Sequence, residues 1–241
     1  MRRCYWLTGL THADCFSCNT GFIVGDKEVV IVDTGNNAEA AETIFEFAKA
    51  VAANRQIRTV VNLEGHYDHV FGNAYFQKRG AKILAHESVK LTSAELQKYI
   101  AECNQEISIP RRRKNNEAYI YFDGVEPFEP DIPISKDCKL EVEGVDLSIY
   151  LAPGHTKSNL LLFEKTEKVL YAADTIYSGF LPTLGFGDKM LWQSWLSALD
   201  LIENLQPNVI VPGHGKVLRD EQIAKEIQRH REIIKLRIAQ E

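Results

Sequence analysis

Hydrophobic and polar positions form two similar blocks along the chain, which are not tandem repeats, and each block begins with strand patterns and ends with helix patterns. In the first block, residues 21–33 predict two strands joined by a turn at Gly25 and Asp26, and residues 38–54 carry apolar side chains at helical spacing. In the second block, residues 140–174 predict strands and residues 189–205 an amphipathic helix. Helices on the outer faces of sheets would bury both apolar patterns, so the sequence predicts an α/β protein of two similar halves.

Both blocks contain further elements. The other predicted strands are residues 57–63, 81–86 and 208–212, and the other predicted helices are residues 72–80, 87–104 and 219–236. A length of 241 residues allows one large domain or two small ones. We interpret residues 1–241 as a single domain.

Residues 105–137 break the alternation of strands and helices. They contain the run RRRK at 111–114, and then Pro127, Pro130 and Pro133 among aromatic and acidic residues. Long irregular stretches inside a compact domain are often lids or binding loops. We interpret this stretch as an insert or lid near the site, and a solvated connection is the alternative. The RRRK run alone is more typical of a solvated surface than of an anion site.

The composition is that of an ordinary globular protein, with 45% hydrophobic and 25% charged residues. A net charge of −5 argues mildly against a nucleic-acid partner, because phosphate contacts require a basic face. The first residues do not read as a signal peptide, and no run of 18 apolar residues predicts a membrane span. Five irregularly spaced cysteines do not predict a disulfide framework. These features predict a cytoplasmic protein.

Polar residues follow directly after four of the hydrophobic strands, in the stretches VVNLEGHYDH, YLAPGHTKSN, VLYAADTIY and VIVPGHG. In open α/β architectures, ligand sites lie beyond the carboxyl ends of strands. The candidate metal ligands delivered there are Glu64, His66, Asp68, His69, His155, Asp174 and His214. A single histidine after a strand is more typical of a core or surface residue, but four coincident clusters indicate metal. Imidazole and carboxylate with no obvious thiolate suit zinc, iron or manganese, and seven ligands are enough for two ions.

The same motifs, taken in order, resemble the metallo-β-lactamase superfamily. The matching stretches are EGHYDH (64–69), PGHTKSN (153–159), AAD (172–174) and PGHG (212–215), and VDTG (32–35) resembles the family's early motif whose aspartate supports a metal-binding histidine. The resemblance implies a four-layer αββα sandwich with the site along one sheet edge. It implies a first metal position of Glu64, His66 and His155, and a second of Asp68, His69 and His214. Asp174 would bridge the two.

Glu64 stands where the family's motif has its first histidine. If Glu64 binds metal, the charge of the site is one unit lower than with a histidine at this position. An oxygen ligand also makes the preference for zinc over iron or manganese smaller than a nitrogen ligand would. A less positive site also acidifies bound water less. The alternative is that Glu64 does not bind metal and that the first position is weak.

The resemblance implies a metal-dependent hydrolase in which a metal-bound hydroxide attacks a carbonyl substrate, with two Zn²⁺ as cofactors and Fe or Mn as alternatives. Small-molecule thioesters, lactones, esters and β-lactams are the candidate substrates. Asp68 would orient the nucleophile, and the Tyr177 phenol could contact the substrate or simply form an aromatic wall. The alternative functions are a phosphodiesterase or nuclease of the same superfamily and an iron-dependent oxidoreductase. Cys15 and Cys18 form one C-x-x-C pair, which we interpret as buried thiols because no second pair exists for a structural zinc.

Overall fold

The computed structural model describes residues 2–9, 18–106, 122 and 124–241, and these residues contain two six-stranded β-sheets. The first sheet comprises β1 (Cys4–Leu7), β2 (Thr20–Val24), β3 (Glu28–Val32), β4 (Gln56–Val61), β5 (Lys82–His86) and β6 (Ile132–Ile134). The second comprises β7 (Cys138–Val142), β8 (Val145–Leu151), β9 (Leu160–Glu164), β10 (Val169–Tyr177), β11 (Val209–His214) and β12 (Leu218–Arg219). The helices are α1 (Ala38–Ala52), α2 (Tyr67–Val70), α3 (Asn73–Gln77), α4 (Ser93–Glu106), α5 (Lys189–Leu205) and α6 (Glu221–Gln240).

Each sheet is built from one half of the chain, in simple spatial order. The first sheet runs β1-β2-β3-β4-β5-β6, antiparallel up to β3 and parallel from β3 onward. The second runs β12-β11-β10-β9-β8-β7, and its one parallel pair is β10 with β11. Because β3, β4 and β5 are parallel, their carboxyl ends lie at the same edge of the first sheet.

The two sheets pack face to face, with helices on both outer faces. A core of buried side chains from both sheets, including Val32, Leu63, Leu162 and Tyr171, lies between them. Helices α1 and α3 cover the outer face of the first sheet, and α5 and α6 cover that of the second. Burying one such aliphatic or aromatic side chain contributes about 1.5–3 kcal/mol. The four-layer αββα sandwich predicted from the sequence is therefore confirmed.

Two long helices begin where the sequence supplies a capping residue. Asn37 accepts a hydrogen bond from the Ala40 amide at the start of α1, and Asp188 accepts one from the Leu191 amide at the start of α5. Such caps stabilise a helix by about 1 kcal/mol. In α5 the buried face includes Trp192 and Trp195, whereas Leu191 is only partly buried.

Helix α4 starts later than the pattern predicts, at Ser93 instead of near residue 87. The reason is a capping box, in which Thr92 Oγ1 accepts from the Glu95 amide and Glu95 Oε2 accepts from the Thr92 amide. Within the predicted insert 105–137, the described residues include strand β6, and Phe128 packs in a cluster with Phe71. The RRRK run lies outside the described residues.

Candidate metal centre

Side chains from four strand ends converge at one edge of the sandwich. β4 leads into helix α2, β8 leads into a loop at residues 152–159, and the other two contributors are β10 and β11. They carry the seven residues that the sequence predicts as ligands, namely Glu64, His66, Asp68, His69, His155, Asp174 and His214, and the structure brings all seven together. Their potential ligand atoms form groups in which all members lie within 4.8 Å of one another.

One group forms the first candidate metal position. His66 Nδ1 lies 2.6 Å from Glu64 Oε1 and 3.2 Å from His155 Nε2. His155 Nε2 also lies 3.5 Å from Asp174 Oδ2. Glu64 is fully buried, so its carboxylate faces this group and not solvent. Two imidazoles and two carboxylates form a donor set that suits zinc, iron or manganese.

A second group lies beside the first and shares Asp174 with it. His69 Nε2 and His214 Nε2 each lie 3.4 Å from Asp174 Oδ1. His214 Nε2 is also 3.4 Å from Asp68 Oδ2. Asp174 thus directs one carboxylate oxygen toward each group, which is the geometry that a bridging ligand requires.

Three buried atoms of the site, Glu64 Oε1, His69 Nε2 and Asp174 Oδ1, have no hydrogen-bond partner. An unpaired buried polar atom costs about 1–3 kcal/mol, so native proteins rarely retain one without a compensating ligand or function. Glu64 Oε1 belongs to the first group, and the other two atoms face the second group. The residues present therefore fit divalent cations, which would accept the lone pairs of these atoms.

Hydrogen bonds behind the site fix which atoms face it. Asp33 Oδ2 accepts from His69 Nδ1 at 2.9 Å, and Asp33 Oδ1 accepts from the Leu63 amide at 2.8 Å. His155 Nδ1 donates to the Thr183 carbonyl at 2.9 Å. In both histidines Nε2 is consequently the atom turned toward the candidate metal positions, which is how outer hydrogen bonds orient metal-binding imidazoles.

The pKa shifts at the site indicate that its carboxylates stabilise nearby positive charge. Burial lowers the pKa of His214, but the Asp174 and Asp68 carboxylates outweigh this and raise it to about 10. Burial likewise opposes protonation of His69, yet the neighbouring carboxylates of Glu64, Asp33 and Asp68 raise its pKa well above the ordinary value. Burial raises the pKa of Asp174, but the neighbouring His214 and His69 hold it well below its usual range. Bound cations would satisfy these carboxylates in place of protons.

The backbone around Asp174 is shaped to present its carboxylate. β10 changes register against β11 on either side of Ala173, which has a φ of 41°. Bulges of this kind turn a side chain toward a site, and a non-glycine residue at positive φ costs free energy. A Cβ on Gly213 would overlap Asp174 Oδ1, so only glycine lets β11 approach so closely.

Tyr177 lies beside the bridging carboxylate. Its hydroxyl donates to Asp174 Oδ2 at 2.5 Å, and the side chain lines the main cavity. Burial, followed by the charge of Asp174, raises its pKa above the ordinary value, so the phenol stays protonated. The Tyr177 amide donates to Nε2 of the fully buried His230, whose Nδ1 donates to the Glu226 carbonyl. His230 therefore braces the end of β10 and is a core histidine.

This buried histidine should make folding stability sensitive to acid. Burial lowers the pKa of His230 to about 4, so between pH 4 and 6.5 the unfolded chain binds a proton that the folded protein does not. Stability should therefore fall by roughly 1.5 kcal/mol between pH 6.5 and 5 through this residue. We expect His230→Gln, which can make both hydrogen bonds, to flatten that part of the pH profile in urea unfolding. Parallel pH profiles for the two proteins would contradict this assignment.

Cys18 belongs to the site although the sequence interpretation did not place it there. Its thiol donates to the Asp68 carbonyl at 3.0 Å and groups with the Asp68 and His69 ligand atoms. Burial raises the pKa of Cys18 to about 12, so the thiol stays protonated and holds the Asp68 backbone. Its position directly before β2, at the edge that carries the site, is the signal that could have found it. Cys15 lies outside the described residues.

The candidate metal positions open into a cavity of about 510 Å³. Its lining includes five of the candidate ligands, namely His66, Asp68, His155, Asp174 and His214, and also Tyr99, Glu102, Phe180, Leu181 and Phe186. The last three apolar side chains are 50%, 72% and 59% exposed. Exposed apolar groups at the mouth of a polar site commonly form the binding surface for the apolar part of a ligand.

Comparisons with known proteins agree with this fold. Residues 13–214 match the family model of the metallo-beta-lactamase superfamily. The chain belongs to the metallo-beta-lactamase superfamily. Among solved structures, it is similar to a metallo-beta-lactamase family protein from Thermus thermophilus, with a TM-score of 0.68 and 20% identity over 91% of this chain and 75% of that one. It is also similar to a metallo-beta-lactamase from Pontibacter korlensis, with a TM-score of 0.66 and 17% identity over 95% and 93% of the two chains.

Two named relatives are similar to this chain in sequence. The chain is 28% identical to 2,4-dinitroanisole O-demethylase subunit alpha of Nocardioides sp. over 80% of this chain and 51% of that one. It is 26% identical to beta-lactamase-like protein 2 homolog of Caenorhabditis elegans over 90% and 64%. The chain thus spans between half and two thirds of the length of these two relatives. Among the residues that the structure describes, no helix is both long and apolar enough to cross a membrane.

Proposed function

We propose that this protein is a metal-dependent hydrolase of small molecules with an electrophilic carbonyl, and that it holds two divalent cations, zinc in the first instance. The observation that carries the proposal is the pair of ligand groups that share Asp174, together with the unpaired buried atoms His69 Nε2 and Asp174 Oδ1. Glu64, His66 and His155 would hold one cation, and Asp68, His69 and His214 the other. When bound, such cations activate water and polarise a carbonyl oxygen.

The remaining chemistry falls to side chains on the cavity wall. Burial raises the pKa of Asp68, but His69 and His214 hold it below the usual value, so the carboxylate is ionised and can orient the attacking water. Tyr177 keeps its proton and donates a hydrogen bond to Asp174 Oδ2; where a cation takes that carboxylate oxygen, the hydroxyl would be free to donate to the substrate oxygen or the leaving group. Phe180, Leu181 and Phe186 would hold the apolar part of the substrate and exclude water from it.

Metal content tests this proposal directly. We expect one to two equivalents of Zn, Fe or Mn after purification, or after reconstitution of protein treated with a chelator. Metal should also raise the melting temperature, because the ligands come from distant strands and the unfolded chain cannot hold them together. Less than a tenth of an equivalent, with no uptake on reconstitution, would overturn the proposal.

A substrate panel then separates the candidate reactions. The panel comprises four carbonyl compounds, namely 4-nitrophenyl butyrate, an acyl thioester, a γ-lactone and a β-lactam, and the aryl ether 2,4-dinitroanisole, the compound named in one relative. We expect turnover of at least one of the four carbonyl compounds, lost with the chelator and restored with metal; turnover of the ether alone would contradict the proposed substrate class. Turnover of bis(4-nitrophenyl) phosphate alone would favour a phosphodiesterase, and metal-dependent oxygen uptake would favour an oxidoreductase.

A further inference from the structure

A second groove, of about 370 Å³, adjoins the main cavity. The two share His66, Tyr99 and Phe186 in their walls. The groove is also lined by Lys90 and Lys157, and by the hydroxyl-bearing residues Ser88, Thr156 and Ser158. A ligand held at His66 could therefore extend from the main cavity into the groove.

Among the described residues that line the two cavities, the lysines belong to the groove. Lys90 and Lys157 are exposed, and neither makes an ion pair with any residue that the structure describes. By contrast, the described lining of the main cavity holds the carboxylates of Asp68, Asp174 and Glu102 and neither lysine nor arginine. An anionic group on a ligand would consequently be attracted to the two lysines of the groove.

The loop that carries Lys157 is tied to the candidate metal centre. Asn159 Oδ1 accepts from the Thr156 amide at 2.6 Å and from Thr156 Oγ1 at 2.8 Å. Asn159 Nδ2 donates to Glu64 Oε2 at 2.9 Å. The loop thus fixes the backbone of Lys157 relative to Glu64, so the distance from the groove to the first metal position is built into the fold.

Glu64 lowers the net positive charge that the centre would have with two cations bound, and this affects how an anionic substrate would be attracted. Three carboxylates among the seven candidate ligands offset three of the four charges of two divalent cations. The centre then has little charge left to attract an anionic substrate, and lysines beside it can supply that attraction. This argument rests on the proposed metal-dependent function.

We propose that the groove lined by Lys90 and Lys157 binds an anionic group, such as a carboxylate, of a substrate whose reacting carbonyl lies in the main cavity. The substrate class is therefore an amphiphilic acid, with an apolar part against Phe180 and Leu181. Two exposed lysine contacts predict a modest preference, of about threefold for each lysine and about tenfold for both.

Binding of thiols to the cobalt-loaded protein tests this without turnover. A thiol that coordinates Co(II) adds a near-ultraviolet absorption band, from which its dissociation constant is measured. The probes are 6-mercaptohexanoate and its neutral analogue 6-mercapto-1-hexanol, with 4-mercaptobutanoate as a shorter acid. We expect at least one of the acids to bind about tenfold more tightly than the alcohol at low salt, and the preference to shrink at about 0.5 M salt.

Lysine variants locate the effect. In the double variant Lys90→Gln/Lys157→Gln, we expect the preference for the acid to disappear while the affinity for the alcohol is unchanged. Lys225→Gln, on the exposed face of α6, is the matched control and should retain the preference. Equal affinity of the wild type for acids and alcohol, or a preference that survives in the double variant, would overturn the proposal. Failure to bind Co(II) at all would overturn the proposed function and the groove with it.

Discussion

The Asp68→Asn variant is expected to lose at least about 100-fold in kcat on whichever compound of the panel is turned over, in line with the contribution of a positioned acid–base group. Asparagine keeps the size of the side chain but removes the charge. Asp68 is buried, and its Oδ2 lies 3.4 Å from His214 Nε2 and 3.8 Å from His69 Nε2. The loss should therefore appear in kcat, because the amide cannot orient or deprotonate water as the carboxylate does.

Two measurements separate this role from simple loss of metal. The variant is assayed at saturating zinc, and its zinc content is determined on the same sample. Asp146→Asn is the matched control, because Asp146 is an exposed residue paired with Lys165 at 3.7 Å on the second sheet. The control should keep wild-type turnover. Unchanged kcat in a zinc-replete Asp68→Asn protein would show that the carboxylate takes no part in the chemistry.

The sequence predicts the fold well because its patterns are local. The hairpin of β2 and β3, helix α1 and helix α5 each follow from alternation or helical spacing within one short stretch. The pattern does not predict the short strands β1 and β12, since four and two residues are too few to show a period. It places the start of helix α4 too early, because that start depends on the reciprocal capping between Thr92 and Glu95.

The candidate ligands are predictable for a different reason. Each one lies in the carboxyl-terminal half of a hydrophobic strand or in the segment that follows such a strand, and these strands end at the same edge of the sandwich. The supporting residues have no such signal. Asn159 reaches Glu64 across 95 positions of sequence, and the carbonyl of Thr183 orients His155 from a loop without regular structure. Their roles depend on how loops pack, which the hydrophobic pattern does not encode.

We infer that the contact between Glu64 and Asn159 is the reason why a glutamate stands in the place of the motif's first histidine. Asn159 Oδ1 is occupied by the amide and hydroxyl of Thr156, so its Nδ2 must face the site as a donor. A carboxylate accepts that hydrogen bond and still offers its other oxygen to a metal. An imidazole that binds metal through one nitrogen carries an N–H on the other nitrogen. That N–H would face the Asn159 Nδ2 group, and two donors cannot form a hydrogen bond with each other.

Glu64→His alone is therefore expected to weaken zinc binding at the first position by about 10- to 100-fold, the usual cost of a mismatched outer contact. Adding Asn159→Asp should restore zinc affinity, because the aspartate accepts from both Thr156 and the new imidazole. The restored site has three imidazoles where the wild type has two, so its preference for zinc over manganese should also exceed that of the wild type. The measurement is competitive binding of zinc and manganese to each metal-free protein.

Asn159→Asp alone and the surface variant Glu46→His complete the comparison. The first places two carboxylates against each other and should weaken the first position, whereas the second, on the exposed side of α1, should leave both metals bound as in the wild type. The decisive quantity is the coupling free energy for zinc binding between Glu64→His and Asn159→Asp. This coupling must favour zinc binding if Glu64 binds metal and Asn159 orients Glu64. Additive effects would mean that Asn159 does not determine the choice of glutamate. Identical zinc and manganese binding in all variants would mean that Glu64 is not a ligand and that its carboxylate serves only the hydrogen bond with Asn159.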